Sequence, residues 1–110
     1  MTNSIVPAEA SALEQRKPRL FDQLAKRLLF KLLSGLRRGE LTLIDGSVRR
    51  IFGAKSDRFP LGATITIHHP RFYSSVVFGG SIGASDAFMA GQWSTDDLTT
   101  VVRITILNRE

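Results

Sequence analysis

The chain of 110 residues contains no cysteine, which excludes disulfide bridges, thiolate metal sites and a cysteine nucleophile. Histidine is nearly absent as well: His68 and His69 are adjacent and there are no others. Neighbours on an extended strand point to opposite faces, and no cluster nearby supplies further ligands, so no metal site is expected. No apolar run approaches the roughly 20 residues that a membrane-spanning helix needs. The opening residues lack the basic-then-apolar order of a secretory signal, which leaves a cytoplasmic location as the expectation. The glycine cluster G-G-S-I-G lacks the Lys-Ser/Thr of a phosphate-binding loop and follows a predicted helix, so no nucleotide site is expected. The adjacent carboxylates Asp96 and Asp97 are explained by helix capping, and no nucleophile–base pair is visible, so no catalytic residue is expected in this chain.

What is present suits one small domain with a modest core: 43% of residues are hydrophobic. Charge is uneven. Residues 1–38 hold eight Lys and Arg against three acids, whereas residues 39–110 hold seven of each, so the whole net charge of +5 lies in the first third. Such one-sided charge points to an anionic partner. Aromatic and basic residues are not interleaved along one strand as in single-strand readers, so nucleic acid is not the expected one.

Taken in order, residues 1–12 read as a flexible tail and 13–108 as one α+β domain, with helix favoured at Ala10–Gln15. From Leu20 to Leu36 apolar residues recur at positions 20, 21, 24, 28, 29, 32, 33 and 36, which predicts a long N-terminal amphipathic helix. Lys26, Arg27, Lys31, Arg37 and Arg38 fall on or beside its other face and are candidates for phosphate headgroups. Phe30 stands among these polar positions as a candidate insertion anchor. Leu41 and Leu43 alternate with Thr42, Asp45-Gly46 signals a hairpin, and Val48–Phe52 answers as partner strand with Arg49 and Arg50 outward. Gly53–Gly62 reads as a loop.

The chain is organised around Phe59–Trp93. Ala63, Ile65 and Ile67 alternate with Thr64, Thr66 and His68, the period of a half-buried strand. Pro70 suits a first helical turn, Phe72, Tyr73, Val76 and Val77 have helical spacing, and Gly79-Gly80 is the expected helix end. Phe88, Met89 and Trp93 follow on a second glycine-punctuated segment. Ser94 or Thr95 then reads as the N-cap of a helix near 95–107. The predicted fold is α+β: a small, mostly antiparallel sheet, the long N-terminal helix and two further helices.

Several motifs agree in order and spacing with one family. His69–Tyr73 (H-P-R-F-Y), Val76–Gly83 (V-V-F-G-G-S-I-G), Asp86–Trp93 (D-A-F-M-A-G-Q-W) and Ser94–Leu98 (S-T-D-D-L) resemble the N-terminal region of cyclopropane-fatty-acyl-phospholipid synthases and mycolic-acid-type methyltransferases. Leu36–Gly46 (L-R-R-G-E-L-T-L-I-D-G) with Phe52-Gly53 fits the opening of that pattern, and the resemblance covers Leu29 to Asn108. The departures are His69 where the family has Asp, Asp86 for Glu, and Phe88 for Tyr. More weakly, and on pattern only, the order of hairpin, strand, helix, glycine turn, A-F-M-x-G-x-W and helix resembles the later half of sterol-carrier-type lipid-binding domains.

The resemblance implies a lipid- and membrane-binding domain that presents phospholipid acyl chains to a separate catalytic domain. That domain uses S-adenosylmethionine; no cofactor is implied in this chain. The implied partners are an anionic phospholipid surface, the catalytic domain and a possible second copy, at the cytoplasmic side of the inner membrane. Phe30, Phe72, Tyr73, Phe78, Phe88, Met89 and Trp93 are the candidates for the acyl-facing surface. A stand-alone lipid-carrier or protein-interaction module is the alternative.

Overall fold

The computed structural model describes residues 20–109; the tail at 1–12 and the helix expected at 10–15 lie outside them. The elements run α1 (Leu20–Leu33), β1 (Gly39–Asp45), β2 (Val48–Ala54), β3 (Gly62–Ile67), α2 (Arg71–Met89), β4 (Trp93–Thr95) and α3 (Leu98–Leu107). The fold is α+β, with three helices among the described residues beside one four-stranded sheet in the order β2-β1-β3-β4.

The first helix is shorter than its apolar pattern predicts: α1 has 14 residues and stops at Leu33. Ser34 and Gly35 are poor helix formers, and the Ser34 hydroxyl donates to the Lys31 carbonyl, offering the backbone an alternative to another turn. Its apolar stripe is also too wide for one buried face. Ala25 and Leu29 enter the core, while Leu20, Phe21, Leu24, Leu28 and Leu32 stay exposed.

In the sheet, β1 pairs antiparallel with β2 through a two-residue connection, Gly46-Ser47. Gly46 has φ 62°, the left-handed geometry such hairpins demand at the first central position. The pairing of β1 with β3 is parallel, which the local pattern did not reveal, and β3–β4 is antiparallel. One face carries Leu41, Leu43, Phe52, Ala63, Ile65, Ile67 and Trp93 into the core; the register places Thr42, Arg49, Ile51, Thr64 and Thr66 on the other.

Gly79-Gly80 does not end α2. The chain bends at Gly80 (φ 59°, ψ −142°) and a second helical segment continues to Met89. The bend is sharp: a Cβ on Gly83 would collide with the Ser75 carbonyl eight residues back, a distance a straight helix never closes. Residues 93–95 form β4, not the start of a helix. The N-cap of α3 is Asp97, whose carboxylate accepts from the Thr100 N–H and hydroxyl. Asp96 instead accepts from the Thr64 N–H at 2.8 Å, holding the α3 entry to the sheet. At the far end of α3, Asn108 Oδ1 accepts from the Arg37 and Arg38 N–H groups while its amide donates to the Arg38 carbonyl. The helix is thus fastened at both ends, and Ile104 between them is fully buried.

Candidate functional site

Six aromatic rings run in sequence through the core: Phe52, Phe30, Tyr73, Phe72, Trp93 and Phe88. Successive centroids lie 5.4, 6.1, 5.3, 5.9 and 5.0 Å apart, in the tilted or edge-on arrangements that ring quadrupoles favour. Near Tyr73 the row meets a half-buried polar knot, and at Phe88 it opens into a groove.

Lys26, Asp45 and Tyr73 form the half-buried polar knot. The Tyr73 hydroxyl donates to Asp45 Oδ2 at 2.6 Å, and Lys26 Nζ meets the same oxygen at 3.4 Å, the one ion pair among the described residues. Burial, then the bond to Asp45 and its charge, hold the Tyr73 phenol far above its usual ionisation range. Lys26 also lies over the Phe30 and Tyr73 rings, 5.7 and 5.5 Å from their centroids, and the Arg50 guanidinium lies 4.9 Å from that of Phe30.

The groove lies between the second half of α2 and α3. Ala84, Trp93 and Val101 form the floor shared by its two chambers. The inner chamber, about 400 Å³, reaches back to Leu29, Leu43, Ile65 and Phe72. The outer, about 500 Å³, is walled by Phe88, Met89, Leu98, Val102 and Ile106. Both volumes fall in the roughly 300–1,000 Å³ range of small-molecule sites. The indole N–H of Trp93 donates to the Ala84 carbonyl at 2.9 Å and the Thr105 hydroxyl to the Val101 carbonyl at 2.9 Å, so both donors are spent on the walls. Ser81, Ser85 and Arg109 are the remaining polar side chains of the lining. Such a lining takes an apolar chain and offers a guanidinium for one anionic end. Among the described residues no group of His, Cys, Asp or Glu is arranged to hold a metal ion.

The expected acyl-facing residues separate accordingly. Phe72, Phe88, Met89 and Trp93 line the groove. Tyr73 is buried in the knot, and Phe30 packs half-buried between Phe52 and Tyr73, inward where an outward anchor was expected. Phe78 is exposed and stacks on Phe21 at 4.8 Å. Of the five basic residues, Lys26 turns into the knot and Arg38 Nη1 donates to the Leu107 carbonyl at 2.6 Å. Arg27, Lys31 and Arg37 are exposed. Leu98, Val101, Val102, Thr105 and Arg109 escaped the sequence reading as lining residues; the apolar stripe of α3 was the available signal.

No family model, curated protein or solved structure matches the chain. Val76–Gly83 spans the bend at the groove's inner end, and Asp86–Trp93 supplies wall and floor. His69, the departure from the family's Asp, accepts the Arg71 N–H through Nδ1 at 3.0 Å, a bond that a carboxylate also makes. His68 Nε2 and Ser94 Oγ share a hydrogen bond at 2.8 Å, so the two histidines serve separate turns.

Proposed function

We propose that the chain is a lipid-binding domain that holds an acyl chain in the groove between α2 and α3 while resting on an anionic membrane surface. The observation that carries this reading is an open groove with a mostly apolar lining, in a molecule that leaves apolar side chains exposed on all three described helices: Leu24 and Leu28, Ile82 and Met89, Val102 and Ile106. Exposed apolar area on this scale marks a partner or lipid surface. On α1, Arg27 and Lys31 share the outward side with Leu20, Leu24 and Leu28, a mixture suited to anionic headgroups over acyl chains. No helix among the described residues is long and apolar enough to cross a membrane.

The finer reading is the N-terminal domain of a cyclopropane-fatty-acyl-phospholipid-synthase-like methyltransferase, sterol-carrier-like in its use of a helix-covered sheet. It presents acyl chains at the cytoplasmic side of the inner membrane to a separate catalytic domain, to which the S-adenosylmethionine belongs. A second copy of the chain is a further partner of that apolar surface. What supports this is the order and spacing of the motifs and their convergence on the groove.

Binding of a long-chain fatty acid, followed through the fluorescence of Trp93, tests the groove. The wild type should show a saturable change, and Val102→Asp, which places a charge on the exposed lip, should abolish it with the circular dichroism intact. Binding that survives this change removes the groove assignment. Flotation with anionic vesicles should weaken with salt and with Arg27→Glu and Lys31→Glu together; equal flotation with neutral vesicles overturns the membrane reading.

A further inference from the structure

A second cleft, about 440 Å³, opens between the first turns of α1 and α2 and shares no lining residue with the groove: Phe21, Asp22, Arg71, Ser74, Ser75 and Phe78 form it. Its chemistry differs from the groove's. Asp22 is 6% exposed, and the Ser74 hydroxyl donates to its Oδ1 at 2.8 Å. One hydroxyl satisfies a fraction of a carboxylate's acceptor capacity, and a buried carboxylate is costly until it is fully paired. Arg71 lines the same cleft without forming an ion pair with Asp22. The two opposite charges are held apart across a shared space, an arrangement complementary to a ligand that carries both.

We propose that this cleft binds a zwitterion built from a primary ammonium and a phosphate ester, the phosphoethanolamine group, with the ammonium on Asp22 and the phosphate on Arg71. The proton of Ser74 is given to Asp22 and to the Arg71 carbonyl, so Ser74 Oγ is left as an acceptor beside the carboxylate. Acceptors of this kind reward an ammonium that has N–H groups to donate, and a guanidinium takes phosphate through paired donors. Phe21 and Phe78, stacked at 4.8 Å and both more than half exposed, form an apolar rim on which a lipid glycerol and chain can rest. The lipid reading above enters for the source of the group and for its phosphate.

Titration of the full chain with O-phosphoethanolamine, followed by amide chemical shifts, tests the chemistry. Saturable shifts are expected at Asp22, Ser74 and Ser75, with Asp22→Asn and Arg71→Gln each weakening binding roughly tenfold or more. Asp22→Asn keeps the shape of the side chain and its bond from Ser74, so loss of fold does not confound it. Absence of saturable shifts overturns the proposal; an equal response to phosphocholine overturns the ammonium assignment, and an equal response to β-alanine overturns the phosphate. Vesicles at a fixed anionic fraction then separate the sources. Phosphatidylethanolamine in place of phosphatidylcholine should raise flotation of the wild type and not of Asp22→Asn. No gain, with the soluble probe still bound, overturns a lipid source and leaves a free phosphoamine; fatty-acid binding at Trp93 reports separately on the groove.

Discussion

The two ends of the aromatic row use the same kind of residue to opposite purposes. At the Tyr73 end, rings, a carboxylate and an ammonium close on one another, and no buried side-chain polar atom among the described residues lacks a partner. At the Phe88 end, rings of equal size face an open groove, and Met89, Val102 and Ile106 are left about half exposed or more. The difference follows from what lies opposite. Tyr73 lies in the core among Phe30 and Phe72, whereas Phe88, on the helical segment after the Gly80 bend, packs on Trp93 of the edge strand β4 and faces the groove. The groove side keeps a buried floor in Trp93 and Val101 but leaves its rim exposed, apolar area that a bound molecule would cover.

The sharpest way to break this contrast is to remove packing at each end. Leu43→Ala, on the central strand at 2% exposure, should cost about 3 kcal/mol, whereas Val102→Ser on the groove lip should change stability by less than about 0.5 kcal/mol. Urea titrations of the two variants check this; equal losses would mean that the groove side is as tightly packed as the sheet.

Tyr73→Phe should cost about 1–2 kcal/mol, because Asp45 loses its hydroxyl donor in a half-buried setting. The pH dependence sharpens the test. The folded phenol ionises above its ordinary value of 10.0, so its contribution is complete below that pH and is lost as pH rises beyond it. Since Tyr73 is the sole tyrosine, tyrosinate absorbance should emerge together with unfolding and not before. Ionisation of the native protein near pH 10 would contradict the half-buried knot.

The smallest effect concerns the groove wall. The bonds that Asp97 accepts, first from the Thr100 hydroxyl and then from its N–H, hold the Asp97 carboxyl below its ordinary 3.8. That contribution is present above the ordinary value and is lost as pH falls through the lowered one. Asp97→Ala should therefore lower the melting temperature at neutral pH, and the gap from wild type should narrow as pH drops below about 3.8. A gap that does not change with pH would show that α3 is held by Asn108 and packing alone.

Much of this was legible in the residues. Alternation placed β1 and β3, Asp45-Gly46 located the hairpin, and the spacing of Phe72, Tyr73 and Val76 gave the start of α2. Four of the seven aromatic and methionine candidates do line the groove. What stayed hidden were features decided by partners far along the chain. The fate of Ser94 and Thr95 depends on β3, which pairs them into β4 and moves the cap to Asp97. The direction of Lys26 depends on Asp45, and that of Arg38 on the end of α3.

By itself, then, the sequence determined the periodicities, the breaks and the charge distribution, because these depend on a residue and its near neighbours. Tertiary structure decided which half of the wide leucine stripe on α1 is buried, whether the chain stops or bends at Gly80, and that β1 lies parallel to β3. Each of these choices turns on a surface brought from elsewhere in the chain: a helix packs one side only against the layer it meets, a glycine permits a bend without requiring it, and strand pairing is settled between segments that the sequence keeps apart.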